Sequence, residues 1–220
     1  MDQRPWIGCV FLAGLVVVAG LSVGCRSLYY RAQSALGNEK RDLLVDAIED
    51  VRDEQQDAKE EFTSALDRLL ALTGGEITDL KQAYDKLRSD YEDAADAAAD
   101  VRGEIAEVKR VAGDLFVEWE ARIEENTDAD QRAIMKRQLS DSKQRYATLE
   151  SKMDAAAARM APVLEAFSNQ VIFLESSLNA QAIASLEGKA VQIESDVAAL
   201  IEQMNASIAE ADAFIASMQQ

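Results

Sequence analysis

Apolar residues recur at alternating three- and four-residue spacing from about residue 39 to the C-terminus. That spacing lines up one stripe of side chains on an α-helix and seats it in a left-handed helix pair. The first stripe reads Leu44, Ile48, Val51, Gln55, Ala58, Phe62, Ala65, Leu69 and Leu72, which predicts a helix over 39–72. Thr73-Gly74-Gly75 then breaks the pattern, because paired glycines weaken a helix and permit the positive φ of a tight reversal. A second helix is expected over 76–125, with Ile77, Leu80, Tyr84, Leu87, Tyr91, Ala94, Ala98, Val101, Ile105, Val108, Ala112, Leu115, Trp119 and Ile123. Asn126-Thr127-Asp128 forms the next turn and supplies a candidate N-cap.

The third stripe starts near Ala129 and runs through Met135, Leu139, Tyr146, Leu149, Met153, Ala156, Met160, Val163, Phe167, Val171, Leu174 and Leu178. Pro162 lies inside it and is expected to kink the rod, since proline lacks an N–H and crowds the preceding turn. The chain reverses again between Asn179 and Gly188. A last helix carries Ile193, Val197, Leu200, Met204, Ile208, Ala211 and Ile215. Short connections make successive helices antiparallel, so the pattern predicts an all-α fold: an elongated, coiled-coil-like antiparallel bundle of about four helices across 39–220. The alternative is a shorter hairpin that completes its core as a homo-oligomer, an option that the alanine-rich stripe leaves open.

The N-terminal region follows another pattern. No residue from Pro5 through Cys25 is charged, and the run of about 20 residues is long enough to span a bilayer. Small residues close it at Gly20, Ser22 and Gly24, and Leu21-Ser22-Val23-Gly24-Cys25 resembles a lipobox. That resemblance implies a signal peptide over 1–24, cleavage between Gly24 and Cys25, and acyl chains on Cys25 that hold the protein to a lipid bilayer. Several chains give a stable anchor where one does not. Here Ser22 occupies the position where such motifs favour leucine. An uncleaved anchor helix is the competing reading, and a third is a Cys25 that is merely a small apolar residue. Arg26, where retained inner-membrane lipoproteins carry aspartate, implies the periplasmic face of the outer membrane over the inner membrane. Residues 25–38 form the membrane-proximal linker, in which Tyr29 and Tyr30 suit either a headgroup contact or the first layer of the core.

Composition narrows the chemistry. Aromatics make up 6% of the 220 residues and charged residues 29%, which favours a slender bundle over a thick globular core. The net charge of −17 repels phosphate backbones, so no nucleic-acid partner is expected. Cys9 and Cys25 are the two cysteines and histidine is absent, which removes a Cys-rich zinc site, a Glu-x-x-His di-iron bundle and the usual general base. There is no Gly-x-Ser-x-Gly elbow, phosphate-binding glycine loop or EF-hand loop. The expectation is a protein with no enzymatic activity, no cofactor and no metal site.

Carboxylates are the abundant reactive groups. A candidate partner-docking belt comprises Asp46, Glu49, Asp50 and Asp53 on the first helix and Asp93, Asp96 and Asp100 on the second. Folding about Gly74-Gly75 places residue i opposite about residue 149 − i, which brings Asp96 and Asp100 to the height of Asp53 and Glu49. Such a belt suits a basic partner or diffuse cations, or is simply a solvated face. Folding about Thr127 sets Lys136 and Arg132 near Glu118 and Glu124. Phe116 and Trp119 read either as core or as an exposed patch.

Lys40-Arg41-Asp42-Leu43-Leu44-Val45-Asp46, with Val51-Arg52-Asp53 and Ala58-Lys59-Glu60-Glu61-Phe62, resembles the opening of the bacterial family called domain of unknown function 2959. Leu178 to Leu186 and Ile208 to Ile215 resemble its closing stretches. The resemblance implies a Gram-negative lipoprotein and carries no activity with it. Anchor, stripes and belt together suggest an envelope scaffold or adaptor that binds another envelope protein. The alternatives are a membrane-remodelling or stress module and a single-pass membrane protein.

Overall fold

The structure is a computed structural model, and it describes residues 39–75 and 79–218. These lie in one compact unit, Gly37–Gln220. They form α1 (Glu39–Gly74), α2 (Leu80–Glu125), α3 (Ala129–Ser176), a short α4 (Ala180–Ser185) and α5 (Glu187–Met218), with no strand among the described residues. α1 packs on α2, α2 on α3, α3 on α5, and α5 back on α1, which closes a four-helix ring. At about 1.5 Å per residue, α2 and α3 are each about 70 Å long.

The stripes become the core. All nine α1 positions from Leu44 to Leu72 are buried, and so are Leu139, Tyr146, Leu149, Met153 and the rest of the α3 stripe through Leu174. Leu80, Tyr91, Trp119, Met135 and Leu178 are half-buried against that core. Phe62, Phe167, Leu69, Leu87, Leu149 and Leu200 are among its largest fully buried side chains. Each such burial stabilises the fold by roughly 1.5–3 kcal/mol relative to exposure. Phe116 belongs to the core as well, with its ring edge-on to Tyr146 at 5.5 Å between centroids; Tyr146 in turn meets Phe214 of α5 at 6.2 Å.

The first connection differs from the sequence expectation, while the second turn and the last reversal fall where the pattern put them. α1 continues to Gly74, and α2 begins at Leu80, where Asp79 accepts a hydrogen bond from the Gln82 amide at 3.0 Å. Neither Gly74 nor Gly75 adopts a left-handed φ; Gly75 matters because a Cβ there would come within 3.0 Å of the Ala71 carbonyl oxygen. Ile77 lies outside the described residues. In the second turn the N-cap is Asp128, which accepts from the amides of Asp130 and Gln131 at 2.9 and 3.0 Å. α3 runs as one continuous helix through Pro162. Proline deprives the Ala158 carbonyl of its partner, and both residues face solvent, so water can take its place. The last reversal is a corner: Asn179 caps α4 through the Ala182 amide at 3.0 Å, and Leu186 is buried where α4 hands over to α5.

Candidate docking surface

The turn positions set which charged faces meet. Arg68 Nε lies 2.9 Å from Asp90 and Lys40 Nζ 2.8 Å from Glu118, which places residue i of α1 opposite about residue 158 − i of α2. This corrects the sequence-based register by about nine residues, or about 13 Å along the axis. The expectation centred the reversal on Gly74-Gly75, whereas the connection runs on to the Asp79 cap. Asp96 and Asp100 therefore sit beyond Asp53 and Glu49 along the axis, near the level of Phe62 and Ala58, and the belt is two staggered patches.

In the first patch Asp46 and Asp53 are exposed, and Glu49 and Asp50 half-buried. Asp53 is partly neutralised by Arg52, whose Nη2 lies 2.9 Å away, while Arg52 Nη1 reaches Asp212 of α5 at 3.5 Å. Those contacts raise the Arg52 pKa, the Asp53 hydrogen bond first. In the second patch Asp90 pairs with Arg68 and Glu92 with Arg88 at 2.8 Å. Asp93, Asp96 and Asp100 are exposed and pair with no cation among the described residues.

Between the patches the structure brings together residues that the belt left out. Glu54 is half-buried at the α1–α2 interface. Its pKa is raised, first by burial and then by Asp100, with Asp57, Glu104 and Asp50 adding to the effect. Glu104 escaped sequence reasoning because its proximity depends on the register. Among the described residues no group of three or more His, Cys, Asp or Glu side chains is arranged to hold a metal ion.

Two basic side chains of α3 answer α2, and Arg159 reaches Asp196 of α5 at 3.6 Å. Lys136 meets Glu124 at 3.2 Å, Lys143 meets Glu120 at 2.5 Å, and Lys109 of α2 holds Asp154 at 2.7 Å. Lys143 also sits 5.5 Å from the Phe116 ring centroid. Glu118 is held by Lys40 and by Arg122 at 2.6 Å instead of by α3, and the Lys40 hydrogen bond leads in lowering its pKa. Gly24 and Cys25, the expected cleavage and lipidation positions, lie outside the described residues. No helix among the described residues is long and apolar enough to cross a membrane.

These features define a class: an acidic, closed four-helix bundle whose surface chemistry is carried by staggered carboxylates. The family model described as Protein of unknown function (DUF2959) matches residues 29–218, and the chain belongs to that family. No curated protein and no solved structure matches the chain.

Proposed function

We propose that this chain is a non-enzymatic lipoprotein of the bacterial envelope, tethered through acylated Cys25 on the periplasmic face of the outer membrane, where its bundle serves as a scaffold or adaptor. The observation that carries the tether is the Leu21-to-Cys25 motif, which ends four residues before the family match begins at Tyr29. A bundle held near a bilayer offers a partner its side faces, and the carboxylates of Asp93, Asp96 and Asp100 are exposed with no cation of their own among the described residues. A basic protein surface is the complementary partner, since charge complementarity contributes orientation and encounter rate more than raw affinity.

Mass spectrometry of the mature protein tests the tether: the expected N-terminus is a diacylglyceryl- or triacyl-Cys25, and an intact Met1 overturns it in favour of an uncleaved anchor. Crosslinking in intact cells tests the adaptor role. The D93N/D96N/D100N variant is expected to lose a crosslinked partner that the unaltered chain retains. Recovery of this chain alone from both counts against an adaptor. Binding of the chain to anionic liposomes after removal of residues 1–25 would favour membrane remodelling, an outcome that the −17 charge opposes.

A further inference from the structure

Gln55 of α1 is fully buried, with both Nε2 and Oε1 lacking a hydrogen-bond partner among the described residues, and Ser207 of α5 is buried with its Oγ likewise unpartnered. The two helices pack directly on one another. The Arg52–Asp212 pair fixes their relative height: Gln55 lies three residues past Arg52, and Ser207 five residues before Asp212 on the opposed helix. The two polar side chains therefore share a level of the core to within about one helical turn. Burying an unpaired amide works against folding, so its place at the centre of an otherwise apolar stripe calls for a reason.

The stripes themselves supply it. From Leu44 to Leu72 on α1 and from Ile193 to Ile215 on α5 the buried positions repeat at three- and four-residue spacing. Sliding one helix by a heptad, about 10 Å, lays apolar residues on apolar residues again. Short turns fix α1 against α2 and α2 against α3, and α4 links α3 to α5. No connection joins α1 to α5. Phe214 ties α5 to α3 through Tyr146, and the Arg41 guanidinium of α1 donates to the Met218 carbonyl only at the far end of α5. The Arg52–Asp212 pair is solvent-accessible and hence screened by salt.

We propose that Gln55 and Ser207 are a register-setting polar layer between the first and last helices of the bundle. In the observed register the two stand within about one helical turn of each other, close enough for an internal water to bridge them. After a heptad slip Gln55 stands at the level of Leu200 or Phe214, and both polar groups are stranded among apolar side chains. The layer thus trades stability for one alignment, as a single polar core position does in a coiled coil.

Cysteine pairs in the full chain test this. R52C/D212C reports the observed register and R52C/N205C the heptad-slipped one, each joined by a short bis-maleimide and mapped by mass spectrometry, which separates these links from any to Cys9 or Cys25. With Gln55 present the 52–212 link is expected and the 52–205 link is not. On adding Q55L both links are expected in comparable yield, with an unfolding midpoint no lower than before. Q55L chains that give the 52–212 link alone overturn the proposal, as does a 52–205 link in chains that retain Gln55. S207V removes the layer from the other helix and is scored by the same two links, so a Q55L chain that fails to fold leaves the decision to S207V.

Discussion

Arg68 on α1 and Asp90 on α2 meet at 2.9 Å with the Asp90 side chain only 17% exposed, while Lys40 and Glu118 close the other end of the α1–α2 interface at 2.8 Å. A partly enclosed pair of this kind contributes about 1 kcal/mol, and more when one partner is left alone than when both are removed. R68A is therefore expected to lower stability by about 1 kcal/mol, and R68A/D90A to cost no more than R68A by itself. Urea unfolding of the four chains of the cycle measures this. Strictly additive losses would show that the pair does not couple the helices.

Helix content was legible because three-four spacing is a local signal: every α1 stripe position from Leu44 to Leu72 is buried. Asp128 was likewise readable as a cap from its place before a new stripe. Register was not legible. Moving the start of α2 from residue 76 to Leu80 leaves the apolar pattern intact, yet it changes which carboxylates face each other, and with them the belt. Glu54 and Glu104 became neighbours through that shift, while Asp96 and Asp53 did not. Ser207 was missed for a related reason: Ile208 beside it is the more apolar residue, but the helix turns the serine inward and leaves Ile208 half-buried. The polar character of Gln55 was plain in the stripe, whereas its lack of any partner is a tertiary fact.

Glu54 gives the bundle an acid-side gain. Its pKa is raised above the ordinary 4.5, first by burial and then by Asp100, so its ionised form is less favourable in the fold than in the unfolded chain. That penalty is absent below 4.5 and sets in as pH rises from there through the folded-state pKa. E54Q is expected to raise the thermal midpoint at pH 7, with the gain gone by about pH 4. Thermal melts of both chains at the two pH values check it. An equal gain at both would assign the effect to packing and not to charge.

Glu118 works in the opposite sense. The Lys40 hydrogen bond holds its pKa below the ordinary 4.5, with Arg122 assisting. Its contribution is present above 4.5 and is lost as pH falls through the lower folded-state value. E118Q is expected to lower the midpoint at pH 7 by a small amount, since both partners are partly exposed, and to match the unaltered chain in strong acid. Added salt should shrink the difference at pH 7 by screening the pair. A loss that survives both acid and salt would mean that Glu118 acts through packing against α1.

Ala98 tests how closely α1 and α2 are packed. These helices share the most extensive of the four packing faces, and Ala94 and Ala98 of α2 are both fully buried. The register places Ala98 near Phe62 of α1, itself fully buried, so a larger side chain has no solvent to turn toward. A98L adds apolar surface, which burial alone would reward, but it must displace Phe62 or part the helices. Overpacking of this kind costs about 1–3 kcal/mol. The neighbouring Ala99 is exposed, and A99L should change stability by no more than about 0.5 kcal/mol. Urea midpoints of the two variants separate the possibilities. If A98L destabilises while A99L does not, the alanines are there to bring two long helices close. If A98L stabilises, the interface holds unfilled volume, and the alanine-rich stripe reflects a loosely packed bundle.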